Sequence, residues 1–264
     1  MPVKYKQYYQ FEDFPNLDST LRLRSVSTPS GVEGLICAFT TRILGNMSLF
    51  YGDTGNALEN RKNFLKGLGI DYRDLVCAKQ VHGSLTRYIR EIDSGKGALS
   101  YDSAIADTDA LITDKKNVPL SIFTADCLSV FLYDSKTPGI GLVHAGWRSS
   151  KENATVKTVQ LMQEKFNAKV EDLYVGFGPA IRGCCFEVGG KFTDFFTPEY
   201  LIKRDGRYYL DLVGINKKQL LAQGLKDKNI FDSKICTSCR SEEFFSYRKE
   251  GRGCGRMMSI MMLR

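Results

Sequence analysis

Both histidines of this chain close apolar runs. His82 ends "CAKQVHGS" and His144 sits in "GLVHAGWRSS", beside the only tryptophan. Cys127 lies inside a third apolar run, "TADCLSVFLY". Two imidazoles and one thiolate are borderline-soft donors that suit zinc. Three protein ligands leave a fourth position for water, which is the catalytic arrangement; four protein ligands make a structural one. Coordination itself would hold Cys127 as the thiolate. Such an ion activates water or polarises a substrate. The plain alternative is that the histidines are satisfied residues at strand ends and the cysteine a small core hydrophobe. Without a metal, Cys127 as nucleophile and His144 as base would make a thiol hydrolase.

Those side chains need elements that bring them together. "PLSIFTADCLSVFLY" and "GIGLVHAG" read as two strands joined by the turn "DSKTPG". In an antiparallel hairpin centred there, Cys127 falls opposite or diagonal to His144, with Cβ atoms ~4.5–8 Å apart. "LVCAKQVH" reads as another strand, with Gln80 on the same face as His82, so Gln80 is a candidate to touch a substrate. Asp109 and Asp126 are candidate proton carriers or orienters. Asp126 is the weaker, because in a regular strand it points away from Cys127.

Anion-binding groups are also visible. Ser149 and Glu152 resemble a capping box, so a helix is expected just after "HAGWR", its free N–H groups favouring an anion. Arg148 adds a forked donor suited to phosphate, or else makes a structural ion pair. A helix is expected through "ALENRKNFLKGLG", opened by Asn56 and Glu59. Arg61 falls within its apolar stripe of Leu58, Phe64, Leu65 and Leu68. A buried guanidinium needs a partner, either a protein carboxylate or a bound anion. Phe245 and Tyr247 are candidates to stack a flat ligand, though aromatics near a C-terminal strand are usually core.

Other elements follow from pattern. "LICAFTT", "TRYIREI", "LYVGFGPAI" and "RMMSIMML" read as strands. "KENATVKTVQLMQEKF" reads as a helix that aligns Thr155, Val159, Met162 and Phe166 on one face. A further helix is expected at roughly 213–225, and an edge hairpin around "TLRLRSV".

Composition bounds the rest. With 264 residues, 43% apolar and 25% charged, the chain is long enough for a sizeable core and reads as globular. Its formal charge of +7 fits an anionic substrate and equally an ordinary solubility margin. Basic residues thicken at Arg240, Arg248, Lys249, Arg252 and Arg256, but aromatics do not alternate with them, so no nucleic-acid partner is expected. "MPVKYKQYYQFEDF" lacks a signal-peptide core, and no run is long enough for a membrane span. A cytoplasmic protein with reduced cysteines is the expectation. It is expected to be a monomer or a small homo-oligomer.

The ordered segments "KQVHGS", "DTDALIT", "TADCLSVFLYD", "GLVHAGWR", "GPAIRGCCFEV" and "FFSYRKEGRGCGRMMSIMML" resemble the laccase-domain (YfiH-like) family from about residue 36 to the C-terminus. Its members carry the names multicopper polyphenol oxidase and purine nucleoside phosphorylase. The resemblance implies an α/β (α+β) fold: one domain over 1–264, two packed mixed β-sheets flanked by helices, with 1–34 a less regular segment. It implies a zinc site at His82, Cys127 and His144, with Cys127 and His144 catalytic and Arg61, Gln80 and Arg148 the candidates to touch substrate. The implied activity is phosphorolysis of adenosine, inosine or methylthioadenosine to base and ribose 1-phosphate, together with adenosine deamination, so the partners are purine nucleosides and phosphate. Some members are named peptidoglycan editing factors, which makes a cell-wall precursor amidase an alternative beside the metal-free hydrolase.

The oxidase name meets a physical objection. A blue-copper centre with an oxygen-reducing cluster needs many imidazoles, and this chain has two. Copper fits the zinc donors but is not favoured. The chain departs from the family pattern at Ser149, usually glycine there, at Cys254 in "CGRM", and in the loop "LGNMSLFYGDTGN". Cys184–Cys185 and the pair Cys236 and Cys239 do not read as a second metal site, because one CxxC is a weak signal and adjacent cysteines rarely chelate one ion. Packing is the expectation for them.

Overall fold

In the computed structural model, residues 8–11, 23–24 and 34–264 are described. Two six-stranded sheets lie face to face. The first runs Leu23–Arg24, Tyr8–Phe11, Leu35–Thr40, Met257–Leu263, Leu120–Thr124, Val76–Cys77 in spatial order. The second runs Ile230–Asp232, Leu173–Phe177, Leu128–Asp134, Gly139–Ala145, Ala110–Thr113, Thr86–Tyr88. Both are mixed: Val76–Cys77 pairs parallel in the first, and Thr86–Tyr88 and Ile230–Asp232 pair parallel in the second. A third, three-stranded sheet joins Glu187–Val188, Arg207–Leu210 and Leu201–Arg204.

The central strands are apolar on both faces because both faces are covered. Cys37, Phe39, Leu120, Ile122 and Met261 meet Leu111, Phe131 and Leu142 between the sheets. Their neighbours Ile36, Ala38, Met258 and Ile260 face outward onto Phe64 and Leu65 of helix α1 (Ala57–Gly67) and onto Leu68, which caps its C-terminus. The second sheet turns Val130, Leu132 and Val143 onto Val159, Met162 and Phe166 of helix α3 (Ala154–Phe166), which follows the short α2 (Trp147–Lys151). Val213 and Leu220 of α4 (Leu212–Ala222) join that layer. Period-two alternation thus survives inside strands that read as unbroken hydrophobic runs. Two packed mixed sheets with helices outside is the expected architecture.

Several local expectations are corrected. "PLSIFTADCLSVFLY" is not one strand. It divides at residues 125–127, and its halves belong to different sheets. Asp126 makes the crossing, with φ of 85°, a left-handed value that aspartate tolerates better than most residues. Its carboxylate accepts from Thr237 Oγ1 at 2.6 Å, Ser246 Oγ at 3.1 Å and the Arg248 N–H at 2.7 Å. It latches the crossing to the C-terminal segment, which is its evident role here. Replacing it with alanine orphans these donors and strains the backbone. Asp126→Ala is therefore predicted to lower the unfolding free energy by about 2–4 kcal/mol. An unchanged denaturant midpoint would refute this.

The helix after "HAGWR" starts earlier than expected, at Trp147 with Gly146 as its cap residue, and Asn153 in a left-handed conformation separates α2 from α3. Asn56 makes no side-chain cap bond, and Leu58 is 39% exposed rather than in the stripe. Most of the less regular N-terminal segment lies outside the described residues, but Leu23–Arg24 does pair antiparallel with Tyr8–Phe11, in the place of the expected edge hairpin. Among the described residues no helix is long and apolar enough to cross a membrane.

Candidate metal centre

The hairpin that carries two of the three candidate ligands is set by its turn. The Asp134 carboxylate accepts from the Lys136 and Thr137 N–H groups at 2.8 and 3.1 Å, as turn aspartates do. That fixes a register with Ser129 opposite His144 and Leu128 opposite Ala145. Continued by one residue, Cys127 faces Gly146 and lies diagonal to His144. Gly146 is required by the close approach: a Cβ there would stand 3.1 Å from Cys127 Sγ and 3.3 Å from His82 Cδ2.

His82 arrives from the first sheet, though not on a strand. It occupies a turn with φ of 61°, held by a single carboxylate. Asp109 accepts from the N–H groups of Val81, His82 and Gly83 at 3.2, 2.9 and 2.7 Å. The same Asp109 accepts from His144 Nδ1 at 2.7 Å. One buried side chain therefore shapes the loop that carries one imidazole and orients the other. With Nδ1–H committed, Nε2 of His144 is the nitrogen left for a ligand.

The donor atoms of His82, Cys127 and His144 lie within 4.8 Å of one another, and the two imidazole rings meet edge to face with centroids 4.8 Å apart. Burial pushes the Cys127 thiol up, but the imidazoles of His144 and His82 outweigh it and bring its pKa down to about 6. Burial also disfavours the His144 imidazolium. Cys127 and Asp109 reverse that and raise its pKa to about 9. Burial opposes the charged form of Asp109 too, yet the His144 bond and the backbone N–H groups of Gly83 and Val81 keep it below the usual carboxylate value. Two imidazoles, a ready thiolate and a carboxylate behind one imidazole are the donor set and support that zinc takes in three-ligand sites.

These three residues line a cavity of about 580 Å³, together with Arg61, Gln80 and Arg148. Arg61 is 1% exposed. A protein carboxylate, one of the two partners expected for it, is not found among the described residues: Nε donates to Met47 O at 2.8 Å, and Nη1 donates to Gly97 O and Ala98 O at 3.0 and 2.8 Å. The Phe123 ring lies 4.7 Å from its guanidinium carbon. Nη2 has no hydrogen-bond partner among the described residues. Gln80 is largely engaged, accepting from Phe123 N at 2.7 Å and donating to Phe123 O at 2.9 Å, so one N–H and one lone pair remain. Arg148 is exposed, stacks on Trp147 at 4.4 Å and has no ion pair among the described residues.

Tyr247 lines the cavity, while Phe245 does not, packing instead near Gly255 and Arg42. Sequence reasoning treated Arg248 and Arg256 only as terminal basic charge, but both line the cavity and bond to backbone carbonyls rather than to carboxylates. Four guanidinium groups thus face a cavity whose one carboxylate, Asp126, is already spent. Such a cavity favours anions.

Fold and site together define an α/β protein with two stacked mixed sheets and an imidazole–thiolate–imidazole cluster where they meet. The chain belongs to the family described as multi-copper polyphenol oxidoreductase laccase, whose model matches residues 42–264. A relative from Geobacillus stearothermophilus, named purine nucleoside phosphorylase YlmD, is 33% identical over 225 residues, 82% of either chain. Adenosine deaminase RL5, from an unknown prokaryotic organism, is 29% identical over 89% of this chain and 97% of its own length. The crystal structure of YlmD from Geobacillus stearothermophilus superposes with a TM-score of 0.84 at 31% identity, covering 94% of this chain and 98% of that one.

Proposed function

We propose that this chain is a zinc-dependent purine nucleoside enzyme. It cleaves adenosine, inosine or methylthioadenosine with phosphate to the free base and ribose 1-phosphate, and it deaminates adenosine. The observation that carries the reading is the cavity itself, where arginines without carboxylate partners surround His82, Cys127 and His144. Family membership and the names borne by the phosphorylase and deaminase relatives support it.

In this reading His82, Cys127 and His144 hold the zinc, which supplies Lewis-acid polarisation and a water of lowered pKa. Asp109 keeps His144 in one tautomer and one orientation. Arg148 and the free Nη2 of Arg61 hold phosphate close to the ribose. In phosphorolysis a phosphate oxygen forms the bond to the anomeric carbon as the carbon–nitrogen bond to the base breaks, and the base leaves with a proton. In deamination the reacting centre is instead the purine ring carbon that bears the amino group. A water oxygen forms the bond to that carbon, the carbon–nitrogen bond to the amino group breaks, and ammonia leaves with a proton from the water. Gln80 contributes its remaining N–H to the base. Oxidase chemistry is disfavoured because two histidines cannot build a multicopper cluster.

Incubation with inosine and phosphate tests the proposal. Ribose 1-phosphate should form in proportion to phosphate, cease after chelation and return with zinc. Absence of both ribose 1-phosphate and deaminated product from purine nucleosides would overturn it. Arg148→Ala should raise the KM for phosphate about tenfold, the worth of one charge-assisted hydrogen bond, with an unchanged melting temperature. An unchanged phosphate KM would remove Arg148 from the site.

The Cys127–His144 pair, backed by Asp109, also favours a second reading: a metal-free cysteine hydrolase, with cell-wall precursor amides among its substrates. Alkylation separates the two. The pKa of Cys127 is depressed, so in metal-free protein its thiolate persists above about pH 6 and is lost as pH falls through that value. Chelated protein should therefore alkylate at Cys127 at pH 7, and zinc should protect it. Full activity in metal-free protein, abolished by alkylation, would favour the hydrolase.

A further inference from the structure

Away from the cavity floor, two pairs of cysteines separated by some fifty residues meet at the surface. We infer that Cys184, Cys185, Cys236 and Cys239 form a second metal site, a closed four-thiolate centre that takes zinc and pins the wall of the arginine-lined cavity. All four sulfur atoms lie within 4.8 Å of one another. Cys239 Sγ stands 3.5 Å from Cys184 Sγ and 3.3 Å from Cys185 Sγ. A tetrahedral ion with sulfur ligands at ~2.3 Å places the sulfurs ~3.8 Å apart, so only small shifts are needed to close around one ion. All four cysteines are free thiols.

The scaffold holds these thiols in place without help from a metal. Ala180 and Cys236 form a parallel bridge. Arg182 makes a two-pronged ion pair with Asp232, at 2.9 and 2.6 Å, and its Nε donates to Ile235 O at 3.1 Å. The segment before Cys184 is thereby fixed against the segment before Cys236. Cys184 and Cys239 are exposed, which gives an ion a path in, while Cys236 is buried. No ligand is shared with His82, Cys127 and His144. Four protein ligands leave no open position, so the role is structural. Binding releases the thiol protons to solvent as the four zinc–sulfur bonds form.

The position explains what such an ion would stabilise. Ile181 and Phe186, on either side of the cysteine pair, line the cavity. Thr237, inside the Cys236–Cys239 turn, donates to Asp126, and Arg248 donates to Cys185 O. One ion at the four sulfurs ties together both segments and the arginine that lines the cavity.

Metal counting on the full chain tests this. A variant with His82→Ala, Cys127→Ala and His144→Ala should retain one zinc per chain after gel filtration. Adding Cys236→Ser and Cys239→Ser should remove it. Because such variants can misfold, metal-stripped wild-type protein should also be titrated with cobalt. It should take two equivalents, one of them giving the intense sulfur-to-cobalt charge-transfer bands of a tetrathiolate site. A wild-type chain that takes one equivalent and lacks those bands would overturn the inference. So would mass spectrometry showing Cys239 joined to Cys184 or Cys185 as a disulfide in the protein as isolated.

Discussion

Replacing Cys127 by alanine is expected to lower kcat/KM for inosine phosphorolysis by at least ~10³-fold while leaving the fold intact. The size follows from the part the sulfur is assigned. A metal ion that polarises a reacting group contributes several kcal/mol, and each ~1.4 kcal/mol is tenfold in rate. In the proposed site Cys127 would be the only anionic ligand of the three, so its loss would weaken the ion's hold on the site as well as change its electronic character. The fold should survive because Cys127 lies at the mouth of the second sheet, where it is half-buried, and the hairpin register is set by the Asp134 turn several residues away. Activity within tenfold of wild type, with zinc still bound, would show that the sulfur is not a ligand.

Asp109→Asn is predicted to have the second-largest effect: a 10–100-fold loss of zinc affinity and a comparable loss of kcat/KM. The side chain keeps its shape but loses its charge and one of its acceptor oxygens. In the wild type the two oxygens receive three backbone N–H groups and the His144 imidazole. An amide cannot accept all four, so either the His82 turn or the His144 tautomer is disturbed. Raising the zinc concentration should restore part of the rate if the defect is in affinity. Wild-type zinc retention through dialysis would contradict the assignment of Asp109 as the group that supports both histidines.

What could be read in the residues was what short-range geometry governs. The Cys127–His144 relation depends on one hairpin with a turn marked by composition, and a register argument placed the two residues opposite or diagonal; the pairing makes them diagonal. Arg61 was legible as buried because helical periodicity put it among Phe64, Leu65 and Leu68. Its actual partners, three carbonyls from residues 47, 97 and 98, belong to loops whose paths no periodicity encodes. The split of the strand at Asp126 was hidden for a similar reason. A left-handed aspartate looks in sequence like any polar residue on a strand face, and its three partners come from residues 237–248. The meeting of Cys184 and Cys185 with Cys236 and Cys239 needed the pairing of Ala180 with Cys236, a contact between segments joined only by tertiary structure.

The account is tested most directly by an anomalous difference map at the zinc edge, from crystals of protein that turns over purine nucleosides. It predicts a peak bonded to His82, Cys127 and His144 at ~2.0–2.3 Å with a fourth, non-protein ligand toward the arginines. An active crystal in which those three side chains surround no metal would contradict it.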